Sequence, residues 1–120
     1  MPSRDTVERF VAMVVSGDHV GAIEAFYAED ASMQENLAPP RVGKAALVVH
    51  EKAALARVAS VHTHPPQAVL IDGDRVAIHW IFDFTLPDGS TRRFDEMALQ
   101  TWRGELIVRE RFFYDPATIC

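Results

Sequence analysis

The sequence predicts an α+β fold: three N-terminal helices packed on a curved, mainly antiparallel sheet. Apolar residues first recur at helical spacing, as in Val7, Phe10, Val11 and Val14. From Ala68 onward the pattern becomes strand, turn, strand. Asp72-Gly73-Asp74, Pro87-Asp88-Gly89-Ser90 and Arg103-Gly104 supply the turn chemistry that divides this second half.

Taken in order, Ser3 caps the first helix, Asp5 and Glu8 suit its positive end, and Gly17 ends it in a left-handed turn. Asp18 caps a second, shorter helix with Val20, Ile23, Phe26 and Tyr27 along one side. Ala31 to Gln34 reads as a short strand. Ala38-Pro39-Pro40 reads as a loop, because proline restricts itself and its predecessor. Gly43 opens a third helix from Lys44 to Ala59, with Leu47, Val48, Leu55 and Val58 inward. Strands follow near 67–72, 75–86, 91–102 and 105–115. No linker, repeat or low-complexity run interrupts the chain, so residues 1–120 read as one domain.

At 120 residues the chain buries roughly two-thirds of its unfolded surface, enough for a core without disulfides or metal. Hydrophobic residues make up 48% and charged ones 24%, which argues against disorder. The net charge of −5 with no basic cluster argues against nucleic acid or an anionic membrane as partner. No apolar run reaches the roughly 20 residues of a membrane span, and the start does not read as a signal peptide. The expected location is the cytoplasm. The one cysteine, Cys120, leaves no intrachain disulfide and no nucleophile in a suitable motif.

Register places the candidate chemistry. Two-residue turns at Asp88-Gly89 and Arg103-Gly104 put Phe82 beside Asp95, Trp80 beside Met97, Asp95 beside Phe112 and Met97 beside Glu110. One concave face then carries Trp80, Phe82, Phe84, Asp95, Met97, Leu99, Val108, Glu110, Phe112 and Tyr114. A bulge in either turn replaces Asp95 by Glu96 on that face. The reverse face carries His79, Asp83, Glu96, Arg109 and Arg111, with Ile81 and Phe94, and Glu96 sits across from Arg111. A broad mixed face with no helix left to cover it suits a homodimer interface.

Gly17-Asp18, Phe26-Tyr27-Ala28-Glu29-Asp30-Ala31, Arg41-Val42-Gly43, and Gly104-Glu105-Leu106 running to Phe113-Tyr114-Asp115 are individually weak markers. In order and spacing they resemble the NTF2-like superfamily, in its SnoaL-like and ketosteroid-isomerase-like branch, over nearly the whole length. The resemblance implies a cone-shaped α+β barrel, usually dimeric, that holds a small hydrophobic molecule. It also implies isomerase, cyclase or dehydratase chemistry without a cofactor. Tyr27 to Glu35 is similar to the segment ending in the general-base aspartate, which puts Glu35 at the base. Asp95-Glu96-Met97 resembles the segment whose aspartate donates to the oxyanion, a carboxylic acid kept neutral by apolar surroundings. The oxyanion tyrosine falls at Phe10 or Val11, neither of which donates a hydrogen bond.

The expected catalytic pair is therefore Glu35 and Asp95. Phe10, Val14, Tyr27, Trp80, Phe82, Phe84, Met97, Leu99, Glu110, Phe112 and Tyr114 line the expected pocket. Arg93 is the expected charge partner of Asp95, and His50 is expected at the surface. His62-Thr63-His64 has a spacing found in some metal sites, but no third ligand accompanies it, so no metal is assigned. A non-catalytic ligand-binding or dimerising accessory module is the competing expectation.

Overall fold

In the computed structural model, which describes residues 1–118, three helices lie against a curved seven-stranded sheet that does not close into a barrel. Cys120 lies outside the described residues. The helices are α1 (Arg4–Val15), α2 (His19–Phe26) and α3 (Lys44–Ala56). The strands are β1 (Tyr27–Glu35), β2 (Arg41–Val42), β3 (Ser60–Thr63), β4 (Ala68–Asp72), β5 (Arg75–Thr85), β6 (Thr91–Arg103) and β7 (Leu106–Phe113). They are ordered β2-β1-β7-β6-β5-β3, with β4 pairing the other half of β5. The β1–β7 pair is parallel and the others antiparallel. No helix among the described residues is long and apolar enough to cross a membrane.

The caps act as the sequence predicts. The Ser3 hydroxyl accepts from the Thr6 amide at 3.1 Å, and the Asp18 carboxylate accepts from the Gly21 amide at 2.9 Å. Gly17 follows α1 with φ +95°, a region where a side chain is strained. The inward stripe of α1 buries Val7, Phe10 and Val14 against Ala22, Ile23 and Phe26 of α2 and against Trp80, Trp102 and Ile107 of the sheet. Phe10 meets Phe26, Tyr27 and Trp102 edge-on at centroid distances of 5.6, 6.2 and 6.1 Å.

Several boundaries differ from the expectation. β1 starts at Tyr27, four residues before the expected Ala31, because Tyr27 already pairs with Ile107 of β7. α3 stops at Ala56 rather than Ala59, and the chain re-enters the sheet as β3, whose backbone pairs with the end of β5.

The register is the main correction. β5 and β6 pair Trp80 with Glu96, Ile78 with Ala98 and Phe82 with Phe94, one step from the expected alignment. The loop holds three residues: Leu86 donates its amide to the Ser90 carbonyl, and Gly89 sits at φ +87°. That is a turn closed by a glycine bulge rather than a two-residue turn. One step turns every β6 side chain over. Glu96, Ala98, Gln100 and Trp102 face the helices, and Asp95, Met97 and Leu99 face outward. Between β6 and β7 a second correction follows. Arg103 pairs with Leu106 across Gly104-Glu105, and a bulge at Val108 then pairs Gln100 with Glu110 and Ala98 with Phe112. The two offsets cancel on β7, so Glu110 and Phe112 face inward as expected.

Candidate functional site

The interior face of the sheet, with α2 and α3 across from it, forms a cleft in three connected parts. The deep part, about 80 Å³, is lined by Phe10, Val14, Tyr27, Trp80, Glu110 and Phe112, among others. The middle part, about 170 Å³, shares His19, Met33, Glu51 and Phe112 with it and adds Glu35, Arg41, His50, Phe82, Phe84, Phe94 and Glu96. The mouth, about 390 Å³, continues past Glu35, His50 and Phe94 to Arg57, Arg92 and Tyr114. A roomier groove of about 640 Å³ runs elsewhere, between α1 and β4. Its lining is mostly aliphatic and proline, with Arg4 and Glu8 the charged residues, so the titratable side chains gather in the cleft and not in the groove.

At the deep end Glu110 is 1% exposed. The Tyr27 hydroxyl donates to one of its oxygens and the Gln100 amide donates to the other at 2.7 Å. The Trp102 indole donates to Gln100 at 3.0 Å and fixes which way that amide points. The line Trp102, Gln100, Glu110, Tyr27 crosses from β6 through β7 to β1. Burial pushes the Glu110 carboxyl up to about 7, the Gln100 and Tyr27 hydrogen bonds acting against the rise. Burial likewise raises the Tyr27 hydroxyl well above its usual range, with Glu110 adding to the effect.

Glu96 lies higher in the cleft, 7% exposed. Burial is the largest cause raising its carboxyl well above the usual range, followed by the charges of Glu110, Glu35 and Glu51. Among the described residues no hydrogen bond acts on it. Among the described residues every fully buried side-chain polar atom has a partner, so the Glu96 oxygens must open onto the hollow.

Glu35 sits where β1 leaves the sheet, paired with Phe112, its side chain 36% exposed and 3.6 Å from Arg41. Glu35 and Glu96 line the same middle hollow. Tyr114 stands beside Glu35 at the mouth, and burial, then the Glu35 charge, raises its hydroxyl.

Of the residues expected to line the pocket, Phe10, Val14, Tyr27, Trp80, Phe82, Phe84, Glu110, Phe112 and Tyr114 line the cleft. Met97 and Leu99 do not; both are exposed on the outer face, carried there by the one-step register change. Asp95 is corrected with them: its side chain is 61% exposed and accepts from His79 at 2.6 Å. Arg93 pairs with Asp83 instead, at 2.9 and 3.1 Å. Arg93, then His64, holds the Asp83 carboxyl well below its usual range. Glu96 does not meet Arg111, whose guanidinium donates to the Asn36 carbonyl at 3.0 Å.

Sequence reasoning passed over three cleft residues. His19 opens α2, its ring Nε2 2.9 Å from the Thr63 hydroxyl and its Nδ1 3.5 Å from Glu51 of α3. His50, expected at the surface, is half-buried and lines the middle hollow. Glu51 follows His50 on α3, and only the packing of α3 against α2 and β1 shows that both reach the cleft. His62 and His64 lie with ring centroids 4.6 Å apart, and His64 meets Asp83 at 2.5 Å. Among the described residues no group of three or more His, Cys, Asp or Glu is placed to hold a metal.

A family model described as a SnoaL-like domain matches residues 7–110. No curated protein matches the sequence. Among solved structures, a putative SnoaL-like polyketide cyclase (carbohydrate phosphatase) from Mesorhizobium loti is 26% identical with a TM-score of 0.78, covering 95% of this chain and 100% of its own. A putative isomerase from Bacillus subtilis is 22% identical with a TM-score of 0.75, covering 96% and 87%. An NTF2-like protein of unknown function from Burkholderia pseudomallei is 13% identical with a TM-score of 0.80, covering 94% and 90%. The last two likenesses carry the fold alone.

Proposed function

The chain belongs to the SnoaL-like domain family, and from that premise we propose that its cleft performs acid–base chemistry on a small hydrophobic carbonyl compound. Isomerisation, cyclisation and dehydration all fit this reading. The observation that carries it is the pair of carboxyls lining one aromatic hollow: Glu35 near the opening and the buried Glu96, which no hydrogen bond from the described residues holds. Glu35 takes the proton at carbon, and Glu96, its carboxyl raised by burial and by the neighbouring carboxyls, donates to the carbonyl oxygen. Glu96 thus takes the part that the sequence reading gave to Asp95. Phe10 is a buried core ring, so the donor it lacks must come from elsewhere in the cleft.

The test is solvent-deuterium incorporation beside the carbonyl of an enolisable bicyclic ketone such as 2-tetralone, followed by proton NMR. Glu35→Gln is expected to slow exchange by about a hundredfold or more with the fold intact. Exchange at the parent rate removes Glu35 from the chemistry.

A second reading, a dimerising module, draws on the outer face, where Met97, Leu99 and Phe113 are exposed and no helix covers them. On that reading two copies pack sheet to sheet. Light scattering is expected to give twice the chain mass, and Leu99→Arg to give the single-chain mass, since the charge would be buried unpaired. A single-chain mass for the parent protein sinks it.

A further inference from the structure

The proposed chemistry leaves the charge of the cleft unexplained. Glu35, Glu51, Glu96 and Glu110 line the deep and middle hollows, and among the described residues Arg41 supplies the only guanidinium lining either. A neutral apolar guest would strip water from the more open carboxyls of Glu35, Glu51 and Glu96 and offer nothing in return. An enolate would meet repulsion from them.

We propose that the middle hollow binds a small organic cation, a protonated amine or quaternary ammonium with apolar substituents, against the carboxyls of Glu51 and Glu96. This names the substrate class of the same cleft and rests on reading that cleft as a ligand site. Glu96 is the independent sign of a missing partner: it is more than nine-tenths buried, opens onto the hollow, and has no hydrogen bond among the described residues. The aromatic wall points the same way. Phe82, Phe84 and Phe94 form a corner with centroids 6.0 to 6.4 Å apart, and the face of an aromatic ring attracts a cation. The hollow of about 170 Å³ equals roughly six water volumes, room for a head group of a few heavy atoms.

A carbonyl compound carrying such a nitrogen suits both halves of the reading. Its cation offsets the carboxylates that would oppose an enolate and lowers the Glu96 carboxyl toward its usual range, so that the acid gives up its proton to the carbonyl oxygen more readily.

The groups facing Glu96 also set the pH dependence. They are Glu110 of β7, Glu35 of β1 with Arg41 of β2, His50 and Glu51 of α3, and His19 of α2. Raising the pH ionises the raised carboxyls of Glu96 and Glu110, which favours a cation. Affinity therefore rises as the pH climbs through about 7, where Glu110 ionises.

The probe is choline, with its uncharged isostere 3,3-dimethylbutan-1-ol, each followed by NMR titration at about pH 8. Choline is expected to bind about tenfold or more tighter than the isostere. Glu96→Gln is expected to remove most of that preference and weaken the pH dependence, leaving the part due to Glu110. Should Glu96→Gln fail to fold, Glu51→Gln is expected to give the same loss. Equal binding of the two probes, or an unchanged preference in a folded variant, overturns the inference. Choline has no carbonyl to enolise, so its result is independent of deuterium exchange, and either proposal can fail alone.

Discussion

Glu110→Gln should match the parent protein in stability at about pH 4 and exceed it by roughly 3 kcal/mol at about pH 9. Burial holds the Glu110 carboxyl at about 7 in the folded chain against 4.5 when unfolded. An acid raised on folding binds more protons folded than unfolded between those values. Its contribution is fully present below about 4.5 and is lost as pH rises through about 7. Glutamine copies the protonated acid: its carbonyl accepts from Gln100 and its amide donates to the Tyr27 oxygen, so the line from Trp102 survives. The effect therefore reports charge rather than lost packing. Urea unfolding of both proteins at the two pH values measures it. A gap that stays constant with pH, or a variant weaker at pH 9, would show that hydrogen bonding outweighs burial. A carboxyl retained at such a cost is more simply explained by a role in the cleft than by a role in folding.

Removing the Glu96 side-chain acid with Glu96→Leu should lower deuterium exchange by about 10²–10³-fold, the usual cost of losing one donor to a developing oxyanion. Asp95→Ala, its neighbour in sequence, should stay within about threefold. The two positions are adjacent on β6 but lie on opposite faces, one 7% exposed in the cleft and the other tied to His79 outside. Thermal melts of both variants separate lost chemistry from lost folding. The reverse ranking would place the register of β6, and with it the proposed acid, on the wrong face.

These two carboxyls show how far the sequence reaches. The helix stripes, their caps at Ser3 and Asp18, and the long strands of the second half were legible because each depends on neighbours within a few residues. Glu110 and Phe112 were placed inward only because two register offsets of odd size cancelled on β7. Nothing in Pro87-Asp88-Gly89-Ser90 announced that the loop would hold three residues rather than two. The deciding feature is the left-handed Gly89, which either loop accepts. Val108 gave no warning of its bulge, since an aliphatic residue also fits a regular strand.

His19, His50 and Glu51 were beyond sequence reasoning for another reason. A polar residue on a helix reads as solvated unless the packing of that helix is known, and the cleft they enter is bounded by α2, α3 and a sheet formed largely after them in the chain. By itself the sequence determined the α+β class, the order of helices and strands, and the set of apolar residues that must find an interior, because periodicity and turn chemistry are local. Tertiary structure alone decided that Glu96 and not Asp95 faces the helices, and that four carboxyls share one cleft, because side-chain alternation converts a single-residue loop difference into a change of face.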